Sequence, residues 1–354
     1  MPKLTSKELT IQSKLLGWYK KNKRILPWRK LDKKKLPNPY YVLVSEFMLQ
    51  QTTVNTVISR FKDFIKKWPN LKKLSMINEN QILQFWSGLG YYARAKNLLN
   101  SAKIISLKFN NIVPDNYNDL IDLPGVGDYT AKAILGIGYN KSVMPVDANI
   151  KRMLARLYGL DQSINLINKK ITSLSKFYAS KKQSSNLIQA FMDYGSIICV
   201  PRNPRCGVCI IAKECIANQK KITNIIPKKI KSKKTKMKKY TRAYIIINGS
   251  EEILVRRRAS KGMLPSMLEV PNDKWVAEKK LLVKDSSISL FQKKFTKCKP
   301  IIYSFSHFDL AIDIYFTKER KRKIKNHDWI LLNNIAEIGM PTIMKKIVEV
   351  AKLN

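Results

Sequence analysis

Four cysteines, Cys199, Cys206, Cys209 and Cys215, fall within seventeen residues of this 354-residue chain. No other feature restricts the fold so tightly, because four soft thiolates in one short loop bind metal wherever the surroundings are reducing. The intervening residues number six, two and five. Four thiolates suit zinc or an iron–sulfur cluster. A zinc ribbon asks for two CxxC pairs separated by a longer stretch, and only one CxxC is present here. The loop also carries Arg202, Arg205 and Lys213, which would meet a phosphate backbone. A fifth cysteine, Cys298, stands alone and reads as an inert thiol.

A phosphate backbone is what the rest of the composition calls for. Sixty-seven Lys and Arg against 25 Asp and Glu give a formal net charge of +42, and such an excess asks for a polyanionic partner, most simply nucleic acid. A biased genome also produces lysine-, isoleucine- and asparagine-rich chains, so the excess alone is not specific. The longest apolar runs, such as AYIIIN at 243–248, are too short to span a bilayer, and no membrane partner is expected. The first residues lack an apolar core followed by a cleavage site, so they read as a surface helix rather than a secretory signal. A reducing interior is expected, cytoplasmic and nucleoid-associated.

The chain divides by pattern. Apolar residues recur at intervals of three and four through 40–68, 79–88, 92–108, 128–139 and 164–178, which predicts an all-α part over 1–222. Residues 228–239, KKIKSKKTKMKK, hold eight lysines and no acid, and 223–239 is read as a basic linker too charged to bury. Beyond it, TRAYIIING, EEILVRRR, PIIYSFSH and DLAIDIYF carry strand patterns, and TIMKKIVEVAKLN closes as a helix, predicting an α+β part over 240–354.

Two short segments narrow the function. LPGVG at 123–127 lies between helical patterns within 121–139. Gly125 and Gly127 permit a positive φ and close approach of another backbone, and the next helix opens with free N–H groups, together an anion site for a DNA phosphate. The plainer reading is a helix–helix corner whose glycines serve only the turn. SEFMLQQT at 45–52 supplies Glu46, the only acid among apolar neighbours. With the six-two-five cysteine loop, these segments resemble the helix-hairpin-helix superfamily that contains endonuclease III, and within it the adenine DNA glycosylase (MutY) family, whose signature is SE-x-MLQQT. The resemblance covers nearly the whole chain. It implies a multi-domain protein: an all-α helix-hairpin-helix glycosylase with a 4Fe-4S cluster loop, followed by an α+β Nudix-like domain. With all four ligand positions filled, the cluster would be structural or redox-sensing. The implied partner is double-stranded DNA carrying adenine opposite 8-oxoguanine or guanine, bound by a monomer.

The resemblance also assigns residues. Asp147 of VDANIKR at 146–152 stands where the family carries a catalytic aspartate, although by itself it reads as a helix cap. Glu46 would protonate adenine at N7, its pKa raised by apolar surroundings; the competing role is a glutamate set in a first helical turn by the dipole. Asp147 would stay ionised, held so by N–H bonds, and stabilise the cationic sugar, with Tyr129 and Asn149 orienting the pair. An endonuclease III-type lyase needs a lysine at the position of Tyr129, and Lys132 lies one turn further on, so a monofunctional glycosylase is expected. Gln51 and Tyr91 are the implied wedges that help flip the base. Arg24, Leu26, Trp28, Arg29 and Gln189 are the implied adenine pocket. The chain has VDAN where the family commonly has VDGN, so the methyl of Ala148 crowds the neighbourhood of the sugar.

In the last part, Phe305-Ser306-His307 resembles the family's FSH loop for 8-oxoguanine, with Ser306 bonding the modified base; a polar hairpin turn is the alternative. MLEVPNDKWVAEKKLLV lacks the acidic REx2Ex2EE array that holds magnesium in a working Nudix hydrolase, so diphosphate hydrolysis is not expected. Two rivals remain from sequence: an endonuclease III-like glycosylase/lyase on oxidised pyrimidines, and a non-catalytic iron–sulfur DNA-binding protein.

Overall fold

The computed structural model describes residues 4–32, 35–163, 165–228, 236–259, 262–291, 294–336 and 338–352. Most of the lysine run assigned to the linker, 229–235, lies outside them. The chain forms two compact units: Met1–Met76 with Asn97–Ser232, and Ile77–Lys96 with Lys233–Asn354. Among the described residues, no helix is long and apolar enough to cross a membrane.

The helical part runs α1 (Ser6–Asn22), α2 (Pro39–Leu49), α3 (Val54–Lys67), α4 (Leu71–Ser75), α5 (Glu79–Phe85), α6 (Ala93–Lys108), α7 (Tyr117–Ile121), α8 (Asp128–Ala133), α9 (Ala148–Leu157), α10 (Asn168–Ser175), α11 (Ser184–Ile197) and α12 (Ile216–Gln219). All but α5 and the start of α6 lie in the first unit. Local chemistry sets the starts. Asn38 accepts from the Tyr40 N–H at 2.9 Å, with Pro39 in the first helical position of α2. Almost every α2 side chain is buried, from Val42 to Met48, so its sequence is apolar all round except at Ser45 and Glu46. Helix α11 packs on α1 and α9. Phe191 and Tyr194 of α11 are fully buried, as are Ile11 and Leu15 of α1, each burial contributing roughly 2 kcal/mol. Helix α8 continues into a wider π-type turn over Ile134–Gly138.

Among the described residues, the second unit is built on a seven-stranded sheet: β1 (Met237–Ile247), β2 (Glu252–Arg257), β3 (Leu268–Glu269), β4 (Thr296–Lys297), β5 (Ile301–Ser304), β6 (Phe308–Lys318) and β7 (His327–Leu331). Its spine is β3-β2-β1-β6-β4, with β5 on β6 and β7 on β2. Strands β1 and β6 pair in parallel from Met237↔Phe308 to Ile247↔Lys318. Alternation assigns the faces: Phe308, Leu310, Ile312 and Ile314 join Ala243, Ile245 and Ile247 in one core, which also contains Ile343, Met344 and Ile347 of α13 (Thr342–Lys352). Tyr244 and Ile246 enter a smaller core on the other face. Lone Cys298 is buried in the larger core. The expected all-α part and α+β part are both present.

Candidate active site

In the first unit, Glu46, Tyr129, Asp147 and Asn149 line one cavity of about 400 Å³. Glu46 is the eighth residue of α2, far from the helix N-terminus, so the dipole does not explain its position. It is 7% exposed. Burial first, then the Asp147 carboxylate, push its pKa up to about 7, opposed by a hydrogen bond from the Tyr129 hydroxyl and by the Arg29 charge. A carboxylic acid so placed still holds its proton near neutral pH.

Asp147 caps α9: the Ile150 N–H donates to Oδ1 at 2.7 Å, and Asn149 Nδ2 donates to Oδ2 at 2.9 Å. Capping therefore coexists with a place in the cavity. Its pKa moves upward because burial outweighs those hydrogen bonds and the Arg152 charge. The N–H bonds favour the ionised form, as expected, without being the larger effect. Asn149 is itself held, because Arg152 Nη2 donates to its Oδ1 at 2.9 Å while bonding Gly195 O at 2.6 Å. Arg152 Nε also reaches Cys199 O at 2.7 Å, tying α9 to the cysteine loop. Lys132 pairs with Asp128 at 2.7 Å within its own helix. Ala148 opens α9 and lines the cavity, and it is not among the positive-φ residues, so its methyl imposes no backbone strain.

All five sequence-derived pocket residues, Arg24, Leu26, Trp28, Arg29 and Gln189, line the same cavity. The two arginines are engaged by Asp193, which sequence reading did not single out: Arg24 Nε lies 2.5 Å and Arg29 Nη1 2.7 Å from its carboxylate. The signal was available, since Asp193 is a lone acid in the apolar run IQAFMDYG at 188–195, as Glu46 is in its own. Gln189 is 3% exposed and donates through Nε2 to Ser185 O at 3.0 Å. Its Oε1 is buried without a protein partner among the described residues.

The hairpin adjoins this cavity. Gly125 has φ +78°, and a Cβ there would lie 2.8 Å from Asn97 Cβ and 2.9 Å from Phe47 Cε1. Gly127 is extended (φ −99°, ψ −179°) and precedes α8, so the freedom expected of both glycines is required only at Gly125. Gln50 Nε2 donates to Gly125 O at 3.5 Å, joining SEFMLQQT to LPGVG. Exposed Gln51 follows with φ +56°, a left-handed conformation costly for a non-glycine residue.

The second unit holds Tyr91 and the Phe305-Ser306-His307 loop. Tyr91 is 43% exposed at φ +48°, and its hydroxyl hydrogen-bonds Ser306 Oγ. Ser306 and His307 form the exposed tip between β5 and β6, closed by Phe305 N–H donating to Phe308 O at 2.9 Å. Phe305 packs inward, its ring centroid 4.9 Å from Tyr303 and from Phe308, and 5.5 Å from Trp275.

Cys199, Cys206, Cys209 and Cys215 line a separate cavity with Met153, Leu157, Ile198 and Ile211. Arg156 Nη1 donates to Cys199 Sγ and the Tyr194 hydroxyl to Cys209 Sγ, each at 3.3 Å. Among the described residues, no three side chains converge on a single-ion site. Four sulfurs spread around one apolar cavity, with donors aimed at two of them, fit a group that spans the space between thiolates.

The family model for HhH-GPD superfamily base excision DNA repair proteins matches residues 44–176, and a NUDIX domain model matches 242–350. The chain is 34% identical over 346 residues to the adenine DNA glycosylase of Buchnera aphidicola subsp. Schizaphis graminum, covering 96% of this chain and 97% of that protein. It is 36% identical over 361 residues to that of subsp. Acyrthosiphon pisum, with the same coverage of 96% and 97%. The structure of a thermostable thymine-DNA glycosylase superposes with TM-score 0.55 at 27% identity, covering 60% of this chain and 97% of its own.

Proposed function

The chain belongs to the adenine DNA glycosylase family and is a DNA glycosylase of base excision repair, and from that premise we propose that it excises adenine opposite 8-oxoguanine or guanine without cutting the backbone. The observation that carries this reading is Glu46, with its pKa near 7, sharing one cavity with Asp147. Adenine flipped into that cavity receives a proton at N7 from Glu46 and becomes a better leaving group. Asp147 faces the sugar and stabilises the developing oxocarbenium charge, while Asn149 and Tyr129 fix the two carboxyl groups. The unpartnered Gln189 Oε1 is an acceptor for the 6-amino group of adenine, at the position where guanine carries a carbonyl oxygen. A lyase step needs an amine, and the residue at that position is Tyr129.

Double-stranded DNA is the partner, its phosphates meeting Gly125 and Gly127 of the hairpin and its stack entered by Gln51 and Tyr91. Ser306 bonds 8-oxoguanine, beside Phe305 and His307. The four cysteines are proposed to hold a 4Fe-4S cluster, which endonuclease III- and MutY-like proteins generally carry; when bound it supplies a rigid cross-link of the loop. The protein acts as a monomer in the cytoplasm, at the nucleoid. The test offers two duplexes, one carrying A opposite 8-oxoguanine and one carrying thymine glycol, each assayed for strand cleavage with and without hot alkali. Cleavage of the A strand only after alkali is expected; alkali-independent nicking at thymine glycol would sink the reading.

A further inference from the structure

Asp193 touches none of the reacting atoms, yet one wall of the catalytic cavity is built around it. It lies in α11 with no exposed surface, one helical turn beyond Gln189 and on the same helix face. Its oxygens accept from the Arg24 backbone N–H at 3.0 Å, Arg24 Nε at 2.5 Å, and Arg29 Nη1 and Nη2 at 2.7 and 2.9 Å. The forked Arg29 pairing fixes the plane of that guanidinium. Two arginines on one carboxylate leave a surplus positive charge at a cavity lined also by Glu46. The groups acting on Glu46 are Asp147 at the start of α9, Tyr129 of α8, and Arg29 of the 3-10 turn Pro27–Arg29. Arg29 is in turn flanked by Arg24 and Tyr19. Asp193 stays ionised there: burial raises its pKa, but Arg29 and Arg24 bring it below the ordinary carboxylate value.

We propose that Asp193 is a positioning residue which, through Arg29, sets the electrostatic potential at Glu46 and so the pH range over which the acid is loaded. The inference rests on the reading of Glu46 as the acid. The two halves of the pair act on Glu46 with opposite sign, which separates charge tuning from packing. Removing the carboxylate leaves Arg29 uncompensated and favours ionised Glu46; removing Arg29 favours the protonated form.

The experiment is single-turnover adenine excision from an A:8-oxoguanine duplex as a function of pH. Asp193→Asn is expected to move the alkaline limb of the rate profile to lower pH by about half a unit, and Arg29→Gln to move it higher by a similar amount. Asp193→Glu keeps the charge and should restore the wild-type midpoint, even if its rate is lower. Should Asp193→Asn fail to fold, Arg29→Gln and Asp193→Glu still decide the matter. Equal loss of rate at every pH with an unmoved limb, or shifts in the same direction, overturns the proposal. A wild-type profile with no alkaline limb would instead overturn the acid role of Glu46.

Discussion

A carboxyl group with a raised pKa is a cost of function that stability measurements can detect. Glu46 goes from an ordinary 4.5 to about 7 on folding. The folded state thus holds the proton more tightly than the unfolded chain. That contribution to stability is fully present below about pH 4.5, declines as the unfolded chain ionises, and is lost as the pH rises through about 7. Glu46→Gln removes the ionisation. Its stability relative to wild type, measured by denaturant unfolding, should therefore increase with pH, by on the order of 3 kcal/mol between about pH 4 and pH 8. A difference that is flat with pH would mean that Glu46 is not desolvated. The same variant should bind the mispair and release no adenine; full excision would remove Glu46 from the chemistry. Asp147 has two duties, so Asp147→Asn separates them: an amide oxygen can still accept the Ile150 N–H at the start of α9, but no negative charge remains for the sugar. Excision should fall by roughly a thousandfold while stability changes by less than about 1 kcal/mol; equal losses of both would make it a cap alone.

Elements formed where a local pattern and a tertiary demand coincide, and those were the legible ones. Helix α9 carries its cap, Asp147, and its apolar face in consecutive residues, so its position could be read directly. The turn over Ile134–Gly138 could not, because a widened turn leaves the apolar spacing of a helix nearly intact. The parallel pairing of β1 with β6 was equally hidden, since its partners, such as Met237 and Phe308, lie far apart in sequence. The candidate site divides in the same way. Glu46, Asp147 and the cysteines announce themselves by type and spacing. Asp193 stands out in sequence as a lone acid in an apolar run, but its partners Arg24 and Arg29, like Gly195 and Cys199 for Arg152, lie far along the chain, and no local pattern encodes those contacts. At the hairpin the decisive element is the left-handed turn at Gly125. Gly125→Val puts a branched side chain against Asn97 and Phe47 at that φ, and should destabilise the protein by about 2 kcal/mol or more and weaken duplex binding. Gly127→Ala meets nothing within 4 Å and an extended φ, so its thermal unfolding should match wild type; a loss equal to that of Gly125→Val would contradict the assignment of the turn.

At the scale of the molecule, the residues proposed for the chemistry and those proposed for reading the opposite base lie in different compact units: Glu46 and Asp147 in the first, Ser306 with Tyr91 in the second. Segment 77–96, which carries Tyr91, belongs to the same unit as Ser306 despite its distance in sequence. A change at Ser306 should therefore leave the adenine cavity as it is and act on the choice of opposite base. Ser306→Ala is expected to reduce the rate on A:8-oxoguanine relative to A:guanine several-fold, a loss consistent with one hydrogen bond. Equal losses on both duplexes would place Ser306 in general DNA binding. The charge of +42 acts on both units together. If most of the surplus serves the phosphate backbone, duplex affinity should fall on the order of a thousandfold between about 50 and 200 mM salt, as for a protein neutralising roughly six phosphates. Excision from DNA already bound should hardly change, because Glu46 and Asp147 lie in a cavity rather than on the screened surface. An affinity slope corresponding to only one or two phosphates would mean that most of the lysine excess follows from composition alone, and that the few basic residues of the hairpin and cysteine loop bear the binding.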